Sequence, residues 1–286
     1  MRFERNAAII AAAIGMAGAT ASAQVVTYHE GFEAAGWTAG SGVAGTDGWN
    51  NYNGSDIVQV ASGTNGITSF SGGNHATLTN LSMQNNVFGT PTLGAVGAFT
   101  RYGGYSSSFG TGFTTSASIY LDPTSWTNGQ GFDYSSAVSN QSGGHLRDFI
   151  WHVGMVDGAL LVNGSNNSDW SFNAWKIENE NGGNNYEVSS AGWYTLQQQF
   201  VDDGGTLSVI FSLLDAGGGE LFSFTRTTTD DIATTVGGNR YGWFTYANID
   251  GLAIDDVQVA YTVIPLPGAA GMALAGMGMI GLRRRR

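Results

Sequence analysis

Between residues 56 and 261 the chain alternates apolar and polar positions in short runs, each stopped by Gly, Asn, Asp or Pro. The first half holds Asp56 to Ala61, Ala76 to Leu81, Ala95 to Tyr102 and Thr114 to Leu121. The second half holds Arg147 to Val156, Ala159 to Val162, Trp170 to Glu178, Gly192 to Val201, Thr206 to Leu214, Glu220 to Arg226 and Gly251 to Tyr261. A period of two, rich in β-branched and aromatic residues, predicts strands, and strands at this spacing predict an all-β sandwich. Asp202-Asp203-Gly204-Gly205 and Asp215 to Gly219 have the composition of tight hairpin turns. Helical periodicity is almost absent here and no repeat or long linker intervenes, so residues 24–262 are read as a single domain.

The two ends are patterned differently. Arg2 and Arg5 precede an uncharged apolar stretch from Ala7 to Ala19, and Ala21-Ser22-Ala23 forms a small-x-small cleavage site before Gln24. This is the order of a secretory signal peptide over residues 1–23. In residues 263–286, Pro265-Leu266-Pro267 leads into an uncharged run from Gly268 to Leu282 and then Arg283, Arg284, Arg285 and Arg286. As a helix the run spans about 22 Å, short of a ~30 Å hydrocarbon core, and four arginines hold that end in the cytoplasm. It reads as a transient inner-membrane anchor, with an ordinary C-terminal transmembrane helix as the alternative.

This tripartite ending resembles the PEP-CTERM sorting signal of Gram-negative bacteria, with Pro-Leu-Pro where the family usually has Pro-Glu-Pro. The resemblance covers residues 264–286 only. It implies export by signal peptidase, processing by an exosortase-like enzyme, and a place at the cell surface or in the extracellular matrix of cells that make extracellular polysaccharide.

Without the two ends, five basic and 21 acidic residues remain of the chain's 11 and 22, a net charge of −16. Phosphate backbones and anionic headgroups repel such a chain, which excludes nucleic acid as a partner. There is no cysteine, so a core or a bound metal must supply stability. Fifteen Phe, eleven Tyr and eight Trp are enough to fill one core.

Gly31-Phe32-Glu33, Gly192-Trp193-Tyr194-Thr195-Leu196 ahead of an alternating hairpin, and Ile254-Asp255-Asp256-Val257 resemble, in this order, the concanavalin-A-like jelly rolls of laminin-G-type and carbohydrate-binding modules. The resemblance implies an antiparallel jelly-roll β-sandwich over about Val25 to Tyr261, its first and last strands side by side. That adjacency would gather Glu30, Glu33, Asp255 and Asp256. Crowded carboxylates repel unless protonated or bridged, and Ca²⁺ prefers oxygen ligands, so a structural calcium site is expected there. The competing reading is that Asp255 or Asp256 caps a turn or faces water, since only one of two strand neighbours points inward.

Sugar recognition combines ring faces with planar hydrogen-bonding groups. Trp49 and Tyr52 among asparagines, Trp126 before Thr127-Asn128, and Trp170 after Asn167-Ser168-Asp169 offer that mixture, although tryptophan in a sandwich is more often core. Catalytic signals are weak. The Glu-x-Asp-x-x-Glu run of laminarinase-type jelly rolls is absent, the nearest carboxylate pair being Glu178-Asn179-Glu180. HExxH, GxSxG and P-loop motifs are absent, and His152 lies in an apolar alternating strand as a structural residue. The leading expectation is therefore a non-catalytic surface or matrix protein that binds exported polysaccharide or surface glycan. The alternatives are a purely structural or adhesive protein with protein partners, and an unrecognised glycoside hydrolase or lyase.

Overall fold

The computed structural model describes residues 24–41, 48–51, 55–79, 97–167, 180–245 and 249–262. The signal peptide, the sorting motif with Pro265, Leu266, Pro267 and Arg283 to Arg286, and the candidates Tyr52 and Trp170 lie outside them. The chain divides into a compact unit, Gln24–Val263, and a second unit formed by the two termini. Among the described residues no helix is long and apolar enough to cross a membrane; the apolar run 268–282 lies outside them, as do the expected flanking helices.

The strands are β1 (Gln24–Glu30), β2 (Gly40–Ser41), β3 (Trp49–Asn51), β4 (Asp56–Ala61), β5 (Asn74–Thr79), β6 (Phe99–Thr100), β7 (Phe113–Leu121) and β8 (Gly131–Asn140). They continue with β9 (His145–Val156), β10 (Ala159–Asn166), β11 (Tyr186–Val188), β12 (Gly192–Asp203), β13 (Thr206–Leu214), β14 (Glu220–Asp231), β15 (Val236–Thr245) and β16 (Leu252–Thr262). Among the described residues they form two sheets, antiparallel except for the β2–β3 pair. The first sheet runs β14-β13-β12-β7-β16-β5-β4, with β1 also paired to β16; the second runs β11-β10-β9-β8-β15-β6-β3-β2. The chain is thus all-β in two sheets, and its first and last strands are neighbours.

Alternation decides which faces meet. Leu196, Ile119, Ile254 and Leu78 of the first sheet, and Phe132, Phe149, Trp151 and Val162 of the second, are buried in one apolar cluster. Ring contacts join the sheets: Trp151 packs edge-on against Phe211 at 5.0 Å, and Phe149 against Phe200 at 5.4 Å. Residues Gly204 and Gly205 form the β12–β13 turn with φ of +65° and +99°, values glycine reaches without strain.

Several expectations need correction. Gly31-Phe32-Glu33 is a bend after β1, not a strand, and among the described residues of the run expected from Ala95 to Tyr102 the strand is Phe99–Thr100. Strands β8, GFDYSSAVSN, and β15, VGGNRYGWFT, are not among the expected runs. Both lie in the interior of the second sheet, where small residues make room for packing. A Cβ on Gly242 would come within 2.3 Å of the Tyr102 hydroxyl.

Candidate functional site

At the end of the domain where β7 stops and β16 begins, three segments enclose a cleft of about 400 Å³. Tyr120, Asp122, Ser125, Trp126 and Gln130 come from the end of β7 and the β7–β8 connection. Asn65, Gly66 and Ile67 come from a strap, residues 62–73, that joins β4 to β5; Ile249 to Ala253 complete the lining. The volume lies within the usual range for small-ligand pockets.

The β7–β8 connection is shaped by its own side chains. Asp122 follows β7 and accepts from the Thr124 backbone N–H at 2.8 Å and its hydroxyl at 2.7 Å, an Asx turn through Pro123. The Thr124 hydroxyl holds the Asp122 carboxyl below the usual carboxylate range, so it stays ionised. Gln130 accepts from Thr127 N–H at 2.7 Å with its amide oxygen, which leaves the amide NH₂ as its other hydrogen-bonding group. Between these anchors, Trp126 is half-buried and packs edge-on against Phe132 at 6.1 Å.

The strap is pinned at several points. Trp193 donates its indole N–H to Thr68 O at 2.7 Å and packs edge-on against Phe70 and Tyr120. That contact braces Tyr120 in the cleft wall. Ser71 N–H donates to Asp255 at 3.0 Å, while Gly73 and Asn74 N–H groups donate to Glu33 at 3.0 and 2.9 Å.

These bonds bear on the four carboxylates expected to hold calcium. Strand β1 does lie beside β16, with Glu30 opposite Val257. Glu30, however, accepts from Phe32 N–H at 2.6 Å and the Trp37 indole at 2.9 Å; Glu33 and Asp255 hold the strap; Asp256 contacts His29 and Gln258. Each is engaged by a nearby donor. Among the described residues no group of three or more His, Cys, Asp or Glu is gathered so as to hold a metal ion. Asp255 is fully buried, and burial raises its carboxyl to about 6. Asp256 sits at φ +49° in a bulge, which breaks the alternation the sequence implied.

Of the aromatic candidates, the structure places Trp126 in the cleft and removes Trp49 from consideration. Trp49 is 2% exposed, its ring stacked on Phe244 at 6.0 Å, and so presents no face to a ligand. Its strand turns it inward between the sheets, which flanking asparagines could not reveal. Sequence reasoning missed Asn65, Tyr120, Asp122, Gln130 and Asp250. The turn-forming Asp122-Pro123-Thr124-Ser125 ahead of Trp126 was the available local signal.

A second polar constellation crosses β8, β9 and β10. His152 Nδ1 lies 2.7 Å from Asp133 and Nε2 lies 2.8 Å from the Ser165 hydroxyl. The order is that of a nucleophile, base and orienting acid. All three are at most 2% exposed, so none presents surface to a substrate in this conformation.

No family model and no curated protein matches the chain. Solved structures similar to it include the CBM2 module of the evolved Dit of Lactobacillus casei BL23 phage J-1, 12% identical, with 86% of this chain and 99% of that chain covered and a TM-score of 0.38. Peanut lectin with a bound 9mer peptide is 13% identical over 76% of this chain and 98% of that chain, TM-score 0.36. The enzymatically active domain of bacteriophage CBA120 tailspike protein 2 is 14% identical over 80% of this chain and 31% of that chain, TM-score 0.34.

Proposed function

We propose that the protein is an exported, non-catalytic β-sandwich that binds carbohydrate in the cleft between the strap and the β7–β8 connection. One observation carries this reading: Trp126 and Tyr120 lie in the same cleft as Asp122, Asp250, Asn65 and Gln130. Rings offer apolar faces to the C–H surface of a sugar, and carboxylates and amides are planar partners for its hydroxyls. With two carboxylates and no basic side chain in its described lining, the cleft suits a neutral glycan. Asp122, kept ionised by Thr124, is poorly suited to donate a proton to a glycosidic oxygen, which supports binding over hydrolysis.

The charge pattern and the two terminal signals support export, and the ending's likeness to PEP-CTERM signals supports a surface or matrix location. Titration of the purified protein with neutral oligosaccharides tests the cleft. Trp126→Ala and Asp122→Asn are each expected to weaken binding about tenfold or more, equivalent to about 1.4 kcal/mol. Unchanged affinity in both variants would reject the cleft, and release of reducing ends would return the hydrolase alternative.

A further inference from the structure

The pole opposite the cleft carries a different chemistry. Strand β8 runs from Gly131, next to the cleft residue Gln130, to Asn140, next to the turn holding Gly143. Ten strand residues put these ends roughly 30 Å apart. Beside that far turn, the guanidinium of Arg101 lies 5.3 Å from the Tyr105 ring centre and 5.6 Å from that of Phe99. The Arg240 guanidinium lies 5.7 Å from the same Tyr105 ring and donates to Gly143 O.

Two cations share one tyrosine, and among the described residues neither has a carboxylate partner within salt-bridge distance. Their Nε atoms are buried without a hydrogen-bond acceptor. This is anomalous in a domain with 21 acidic and five basic residues, where Arg147, by contrast, is paired with Asp230. Two like charges held together without a counter-ion repel, and an anion between or beside them relieves that cost. A guanidinium is a rigid fork of N–H donors that matches a planar carboxylate, and Arg240 uses only one of its N–H groups, at Nη1, on Gly143 O. Rings frame the cations: Tyr105 is 45% exposed, and Phe99 packs on Tyr241 at 5.1 Å, with His145 stacked parallel to Tyr241. Charge plus ring surface favours an acidic sugar over a flexible acidic peptide.

We propose that Arg101, Tyr105 and Arg240 form a second binding site, for the carboxylate-bearing sugar unit of an acidic polysaccharide. The site uses none of the cleft residues and stands or falls independently of them.

Calorimetric titration of the full-length protein compares oligogalacturonate, a neutral oligosaccharide of the same length and an oligoglutamate peptide of the same charge. Oligogalacturonate is expected to bind, and Arg101→Gln and Arg240→Gln are each expected to weaken it about tenfold or more. Arg101→Lys keeps the charge, loses the fork and is expected to weaken it as well; this variant carries the test if a glutamine variant fails to fold. Trp126→Ala is expected to leave oligogalacturonate affinity unchanged. Absence of oligogalacturonate binding, wild-type affinity in folded arginine variants, or equal binding of the glutamate peptide would each overturn the proposal. Loss of neutral-sugar binding alone would count against the cleft and leave this site standing.

Discussion

Gly164 shows how a single position decides packing. It faces inward on β10 opposite Trp151, and a Cβ there would lie 2.8 Å from Ile150 O and 3.0 Å from both the Phe211 and Phe224 rings. Those two rings stack at 4.7 Å and cannot retreat without opening the core. Gly164→Ala is therefore expected to cost about 1–3 kcal/mol by overpacking, seen as a lower denaturant midpoint at unchanged slope. The same local blindness affected the tryptophans. Trp49 and Trp126 both follow turn-forming residues and carry polar neighbours, yet one is sealed between the sheets and the other lines a cleft. Trp49 lies within β3 and Trp126 in the β7–β8 connection, a difference the neighbouring residues do not show.

At the scale of elements, the strap depends on carboxylates from distant parts of the chain. Asp255 comes from β16 and Glu33 from the bend after β1, and both accept strap N–H groups. Because burial raises Asp255 to about 6, the folded state binds more protons than the unfolded chain between about pH 4 and 6. Its contribution to stability is greatest at low pH and is lost as pH rises through that window. Asp122, Asp148 and Asp230 are shifted downward and act in the opposite sense, so a difference between two proteins is the informative quantity. Between pH 4 and 7 the wild type is expected to lose on the order of 1–2 kcal/mol relative to Asp255→Asn, read from paired thermal melts. Parallel pH profiles would show that Asp255 does not titrate in this way. Strand legibility follows the same logic. The expected run Thr206–Leu214 coincides with β13, where Leu207, Val209, Phe211 and Leu213 recur with period two and are all buried. Strands β8 and β15 lie between neighbours and are buried at most positions, so their polar residues Asp133, Ser135, Ser139 and Asn239 are covered, and Gly and Ser interrupt their apolar runs.

For the molecule as a whole, the question is what holds the two sheets together beyond apolar contact. Arg147 on β9 and Asp230 on β14 face each other across the sandwich in a two-pronged ion pair, with Nη2 to Oδ1 at 3.0 Å. Both side chains are mostly buried, so removing one partner leaves the other unpaired. Asp230→Ala is expected to cost about 2–3 kcal/mol, and the double variant with Arg147→Met is expected to cost less than the sum of the two single variants. A loss within about 0.5 kcal/mol of zero, as for surface pairs, would show that the tie contributes little. Deeper in, Tyr102, Tyr134 and Ser136 join Thr115 by hydroxyl contacts of 2.9–3.1 Å, and Gln198 reaches across to Phe149 O at 2.9 Å. Burial moves the Tyr102 hydroxyl up to about 12, so this seam stays neutral and hydrogen-bonded.

The sequence by itself determined the β class, most strand positions and the Gly204-Gly205 turn. Period-two alternation and positive φ are local properties, written in a few adjacent residues. Only the tertiary structure decided that Trp126 shares a cleft with residues up to 127 positions away in the chain, that Trp49 is core, and that the acidic residues near β1 and β16 brace a strap. It also decided that two arginines 139 positions apart meet on one tyrosine. Such arrangements arise where strands distant in sequence become neighbours in a sheet, and no short window of residues encodes which of them will meet.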